Sequence, residues 1–266
     1  MPTVFGPTPG PREGPDGAAF DGSATRRDCA ALQFLTDEWR LRQLLPPGFL
    51  LEGEPVVSVE FTRLRQLEWL AGRGYNMLGI KLPARFEGRH DRARGHFLAV
   101  LWENRAEPII SGREELGFAK LYAELAGPRV LGTQHQYTAS WDGHCFFHMQ
   151  LELGQAEVVE PTTPAEQPTD GALSGTLHYR YMPKVSAPGQ ADVTQAVLTP
   201  ARHPTGPIAL QRGTGSLSFT RSRWEQLPTM AHIVNALADL PLIEVRAATR
   251  SMSRGASDLS DQQVLD

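Results

Sequence analysis

Val57, Val59 and Phe61 alternate with Ser58, Glu60 and Thr62 across residues 54–62. A period of two sends the two sets to opposite faces of an extended strand and leaves no helical stripe. The pattern returns twice. Over residues 145–153, Cys145, Phe147, Met149, Leu151 and Leu153 share one face, with His144, Phe146, His148, Gln150 and Glu152 on the other. Over residues 173–182, Leu177, Tyr179 and Tyr181 lie together, opposite His178 and Arg180. Residues 97–102 are apolar throughout, as in a buried central strand. Residues 75–86, 134–139, 194–200, 215–220 and 242–248 read as further strands. With 25 Gly and 21 Pro, turns are frequent and short strands are favoured over long helices. A mainly β chain follows.

Two short helices interrupt it. Thr36 is read as the N-cap of the first, with Asp37 and Glu38 in the first turn, an apolar side of Leu41, Leu44 and Leu45, and a stop at Pro46-Pro47-Gly48. The second spans residues 230–237, after Pro228-Thr229 and before Asp239-Leu240-Pro241. Residues 85–95 read as a charged hairpin loop, 103–107 as a break, 160–171 as a Thr/Pro-rich loop and 206–215 as turn material. Residues 1–25 are rich in Pro and Gly without periodicity and read as a flexible arm. Residues 26–255 then form a single domain, and 256–266 a polar, loose tail.

A formal charge of −4 gives no electrostatic case for nucleic acid as the main partner. Cys29 and Cys145 are the only cysteines, too few for a disulfide scaffold. No basic start leads into an apolar run, so neither signal peptide nor membrane span is expected, and the location is expected to be cytoplasmic. Phosphate loops, dinucleotide fingerprints, HExxH, EF-hand, CxxC and GxSxG patterns are absent, so no cofactor is expected. No metal is expected either. His144 and His148 share a strand face but stand about 13 Å apart at strand rise, too far to share an ion. His144, His148 and His178 remain either acid–base groups or packed side chains.

Lys81, Lys120 and Lys184 are the only lysines among 26 Lys and Arg. Lys120 follows Leu116, Phe118 and Ala119 and precedes Leu121 and Tyr122. Desolvation there would favour the neutral, nucleophilic amine; the same setting also suits a lysine snorkelling from an element edge. Gly112 reads as a turn or close approach. Arg113 and Glu114 either pair beside the lysine or sit on a solvated rim. Glu60 is either a solvent-face charge or a carboxylate aimed into a cavity.

The stretch PIISGREELGFAKLYAEL, residues 108–125, resembles the signature of the acetoacetate decarboxylase family, which places its Schiff-base lysine on Lys120. The ending LLPPGF, the strand YNMLGIKLPARF and the C-terminal block HIVNALADLPLIEV resemble further family blocks. The likeness covers residues 27–125 and 224–248 and is loose between them. It implies a mainly antiparallel double sheet closed into a cone-like β-barrel around the site, with a few short peripheral helices, and a homo-oligomer. It implies Glu60 as an active-site glutamate, Arg27 as the partner of a substrate carboxylate, and substrate contacts from Met77, Arg113 and Glu114. Two positions depart. Met77 stands where the family's decarboxylases carry a glutamate, and Leu121 stands where they carry a second lysine. The resemblance therefore implies a Schiff-base-forming lyase on a small oxo acid, of aldolase-dehydratase or dehydratase-like type. The alternatives are a beta-keto acid decarboxylase and a non-catalytic small-molecule binding protein of the same fold.

Overall fold

The computed structural model describes residues 13–160, 172–201, 206–257 and 259–266. The expected loop over 161–171 and the first twelve residues of the expected arm lie outside them. In chain order the elements are β1 (Arg26–Leu35), α1 (Glu38–Arg42), β2 (Phe49–Leu51), β3 (Val56–Arg65), β4 (Tyr75–Glu87) and β5 (Arg92–Glu103). Then follow α2 (Ala106–Glu114), β6 (Lys120–Tyr122), β7 (Arg129–Leu131), β8 (Gln134–Trp141), β9 (His144–Leu153) and β10 (Glu157–Val159). The chain ends with β11 (Leu173–Pro183), β12 (Ala191–Pro200), β13 (Ile208–Phe219), α3 (Ala231–Ala238), β14 (Glu244–Arg254) and β15 (Gln263–Leu265). No helix among the described residues is long and apolar enough to cross a membrane.

The strands form one sheet in the order β15-β12-β11-β5-β4-β3-β1-β14-β13-β9-β8-β7, with β10 beside β13, β2 beside β4 and β6 beside β5. The pairs β5–β11 and β5–β6 are parallel and the rest antiparallel. This corrects the expected closed cone-like barrel. Closure needs the two end strands to bond to each other, but β15 and β7 pair only inward, and each is three residues long. Alternation specifies faces and pairing, not whether two distant edges meet.

The open sheet is nevertheless strongly curled. Trp102 on β5 and Phe146 on β9 stand six strands apart in sheet order, roughly 29 Å on a flat sheet. Their ring centroids are 5.5 Å apart. Phe61 and Tyr137 meet in the same way at 5.1 Å. Val57, Val59, Phe61, Leu78, Ile80, Val100 and Trp102 point into this curl as one core, joined by Val234 and Leu237 of α3. The polar set that alternates with them faces the other way, and that is where the cavity described below lies. The site is therefore not enclosed by a barrel; it sits on the reverse face of β3–β4–β5.

Several local expectations change. Asp37, not Thr36, caps α1: its carboxylate accepts from Arg40 N–H at 2.8 Å. The expected hairpin loop shrinks to residues 88–91, because Arg85 pairs with Glu52 and Glu87 on paired strand. Residues 206–215 are largely β13, where a Cβ on Gly213 would fall 1.8 Å from Glu152 O; the glycine permits the close strand approach. The expected break after residue 103 leads into α2, whose Pro108 sits in the first turn, where a missing N–H costs nothing. The expected loose tail carries β15 on β12, with Leu265 buried.

Candidate active site

Glu60, Gly79, Leu101 and Lys120 are directly opposite one another across β3, β4, β5 and β6. The next row places Thr62 opposite Met77 and Met77 opposite Glu103. Neighbours in such rows share a face, so these side chains form the floor of one cavity of about 570 Å³. Gly79 leaves the middle of the floor open. Arg27 from β1 and Lys81 from β4 also line it. Of the residues expected at the site, Lys120, Glu60, Arg27 and Met77 are thus brought together. Arg113 and Glu114 are outside the lining. They act through the main chain and its neighbours: Arg113 donates to Lys120 O at 2.8 Å, and Glu114 O accepts from Arg180 at 2.9 Å.

Lys120 is buried, with its side chain 7% exposed, and its Nζ lies 2.9 Å from Oε1 of Glu103, whose side chain is 0% exposed. Nζ also donates to Pro108 O at 2.9 Å. Neither Glu103 oxygen meets a partner in full hydrogen-bond geometry among the described residues, so the contact is an ion pair by distance. Burial pushes the Glu103 carboxyl above its usual range, although Lys120 pulls the other way. A carboxyl raised in this way and in contact with the amine has the chemistry to exchange a proton with it.

The backbone around the lysine is shaped to hold it. A Cβ on Gly112 would fall 2.3 Å from Cε and 2.4 Å from Nζ of Lys120, so α2 presents a glycine where the lysine side chain crosses it. Gly117 turns the loop at φ +76°, with Arg180 packed against it. His178 on β11 stacks on Phe118 at 4.1 Å, and its Nε2 lies 2.8 Å from Leu116 O. A carbonyl only accepts, so Nε2 carries the proton. Burial lowers this histidine to about 4, despite the bond to Leu116; it is a neutral prop for the lysine loop.

At the other end of the row, Lys81 Nζ donates to Glu60 Oε2 at 2.8 Å and Arg27 stands 3.8 Å from the same oxygen. Burial would raise the Glu60 carboxyl, but Lys81 and Arg27 together outweigh it and hold it below its ordinary value. Two cations share one carboxylate here, leaving net positive charge for an anion. His96 beside them is lowered by burial and by Lys81.

Sequence reasoning missed Glu103 and the place of Lys81. Glu103 was visible only as the charge ending an apolar run; its contact with Lys120 depends on the parallel β5–β6 pairing. His144 bonds Ser222 at 2.8 Å, and neither His144 nor His148 lines the cavity. Lys184 is exposed in the β11–β12 turn. Among the described residues, no three His, Cys, Asp or Glu side chains come together as a metal site.

The family model described as acetoacetate decarboxylase matches residues 1–253 of the chain. No curated protein matches it by sequence. Among solved structures, it is similar to an acetoacetate decarboxylase from Legionella pneumophila, at 19% identity and TM-score 0.64 over 95% of this chain and 92% of that one. The enduracididine biosynthesis enzyme MppR, complexed with the condensation product of pyruvate and imidazole 4-carboxaldehyde, aligns at 15% identity and TM-score 0.64, over 90% of this chain and 87% of that one. An acetoacetate decarboxylase-like enzyme from Sphingomonas wittichii RW1 aligns at 16% identity and TM-score 0.58, over 93% and 94% of the two chains. At these identities the structural likeness establishes the fold.

Proposed function

This chain belongs to the acetoacetate decarboxylase family, and on that premise we propose that it is a lyase working through a Schiff base between Lys120 and the ketone of an oxo acid. The observation that carries the reading is the buried pair of Lys120 Nζ and Glu103 Oε1 at 2.9 Å, inside a cavity that also holds Arg27 and Lys81. Glu103 takes a proton from the ammonium, and the free amine attacks the carbonyl carbon. The same carboxyl returns the proton as the carbinolamine loses water, leaving an iminium. The substrate carboxylate is held by Arg27 and Lys81, and Glu60, kept ionised by them, orients water.

The iminium accepts the electron pair released when a bond to the adjacent carbon breaks. Met77 offers neither charge nor proton, which favours loss of a proton from that carbon and an enamine of the aldolase-dehydratase or dehydratase-like type. The MppR complex with a pyruvate condensation product lends this support from the same fold. A second reading, decarboxylation, is favoured by one observation: Glu103 is directly opposite Met77, so a carboxyl stands one strand from the position where the resemblance expects one and could protonate the enamine carbon after carbon dioxide leaves.

Borohydride reduction with pyruvate and with acetoacetate, read by intact mass, tests the common step. An adduct in the wild type that is lost in Lys120→Ala supports it. No adduct across a wider panel of oxo acids would leave the binding-protein alternative. Carbon dioxide release then separates the two lyase readings.

A further inference from the structure

The cavity is much larger than a small oxo acid needs. About 570 Å³ is in the range that accommodates drug-sized ligands, whereas acetoacetate has about seven non-hydrogen atoms. The excess space is roofed by three groups of residues distant in sequence: residues 20–25, the β3–β4 connection, and Gly255–Ser257 with Leu259. They are tied together. Gly22 N–H donates to Glu68 at 3.4 Å, Ala256 N–H donates to Gly22 O at 3.1 Å, and Gly255 N–H donates to Thr25 O at 2.9 Å. The wall under this roof is apolar, made by Phe20, Leu64, Leu67 and Trp69. Trp69 is set edge-on against Tyr75 at 6.3 Å.

Charge is distributed unevenly around it. The cations Arg27 and Lys81 lie over the floor, while among the described residues the charged groups lining the roof are Asp21 and Glu68. A ligand with its acid end on the floor cannot place a second anion under the roof without facing those carboxylates. Filling the space with water instead would leave an apolar wall wetted, which is unfavourable.

We propose that the substrate of Lys120 carries, beyond its oxo-acid end, an uncharged apolar group of about ten non-hydrogen atoms, aromatic or branched, seated against Leu64, Leu67 and Trp69. The proposal rests on the Schiff-base reading for where the ketone sits, but the apolar subsite stands on its own geometry.

The test compares acetoacetate, benzoylacetate, a branched-chain beta-keto acid of about ten carbons and acetonedicarboxylate, each trapped with borohydride over a range of concentrations. A buried methylene tightens binding by at most about fourfold, so the half-trapping concentration is expected to fall by about tenfold or more from acetoacetate to the two apolar acids. Most of that gain is expected to vanish in Trp69→Ala, with Leu64→Ala as the second variant if the first does not fold. Acetonedicarboxylate is expected to trap no better than acetoacetate. Equal trapping of acetoacetate and the longer acids overturns the proposal while leaving the Schiff base intact. Calorimetric titration with phenylpropionate, which has tail and carboxylate but no ketone, separates the two claims. Binding of phenylpropionate without trapping of any keto acid supports the subsite and sinks the Schiff base. Absence of both phenylpropionate binding and keto-acid trapping overturns the subsite.

Discussion

Replacing Glu103 by Gln keeps the shape of the side chain and removes its charge and its proton. In the wild type this carboxyl is 2.9 Å from Lys120 Nζ, and both side chains are almost fully removed from water. Breaking such a pair from one side costs about 3–5 kcal/mol while the remaining charge stays buried. The cost falls as the amine releases its proton. Catalysis loses the group that both accepts the ammonium proton and returns it to the departing water. Positioned acid–base groups contribute about 10²–10⁴-fold, which corresponds to about 3–5 kcal/mol of barrier. The assay is the initial rate of borohydride-trapped adduct at saturating oxo acid, measured from acid to alkaline pH. Glu103→Gln is expected to be slower by at least about a hundredfold near neutrality, with the deficit narrowing as hydroxide takes over deprotonation of the amine. A variant within threefold of wild type across the whole range would refute the role given to Glu103, because no other carboxyl touches Nζ among the described residues.

Gly112→Ala puts a methyl group 2.3–2.5 Å from Cδ, Cε and Nζ of Lys120. It is expected to abolish adduct formation while destabilising the fold by about 1–3 kcal/mol, checked by mass spectrometry and thermal melting on the same sample. His178 is neutral and buried, with its folded value lowered to about 4 from 6.5. Its unfolded state therefore binds the extra proton, and stability present above about pH 6.5 is lost as pH falls toward 4, by about 3 kcal/mol in total. Urea denaturation at pH 7 and pH 4.5 is expected to show a larger acid loss in wild type than in His178→Gln; equal losses would contradict it. Lys81→Met removes one of the two cations on Glu60. The half-saturating oxo acid concentration is expected to rise about tenfold, with the saturated trapping rate changed less, as for loss of uniform binding.

Much of this architecture is written in the chain's period-two stretches. Val57, Val59 and Phe61 face the core and Glu60 and Thr62 face the cavity because a strand cannot do otherwise. The apolar surroundings of Lys120 marked it as unusual, and its burial follows from Leu116, Phe118 and Leu98 packing near it. What was not legible depends on contacts between residues distant in sequence. Whether β15 and β7 meet is a question about two edges, and their own residues carry no signal for it. The pairing of Glu103 with Lys120 depends on β6 adding parallel to β5, and that of Lys81 with Glu60 on the β3–β4 register that places Ser58 opposite Lys81. Pro108 and Gly112 inside nine residues disguised α2, although Pro is tolerated in a first turn and Gly112 makes room for a lysine from outside the helix.

Two lysines line the same cavity, Lys81 and Lys120, so the most direct test of the central claim is to locate the reduced adduct. The wild-type protein, reduced with borohydride in the presence of the best-trapping oxo acid, is digested and sequenced by tandem mass spectrometry. The account predicts the whole mass increase on Lys120, with Lys81 unmodified because its partner Glu60 is held below its ordinary value and is the poorer proton acceptor, whereas burial raises Glu103 beside Lys120. An adduct on Lys81, with Lys120 untouched, would contradict it and move the chemistry to the other end of the row.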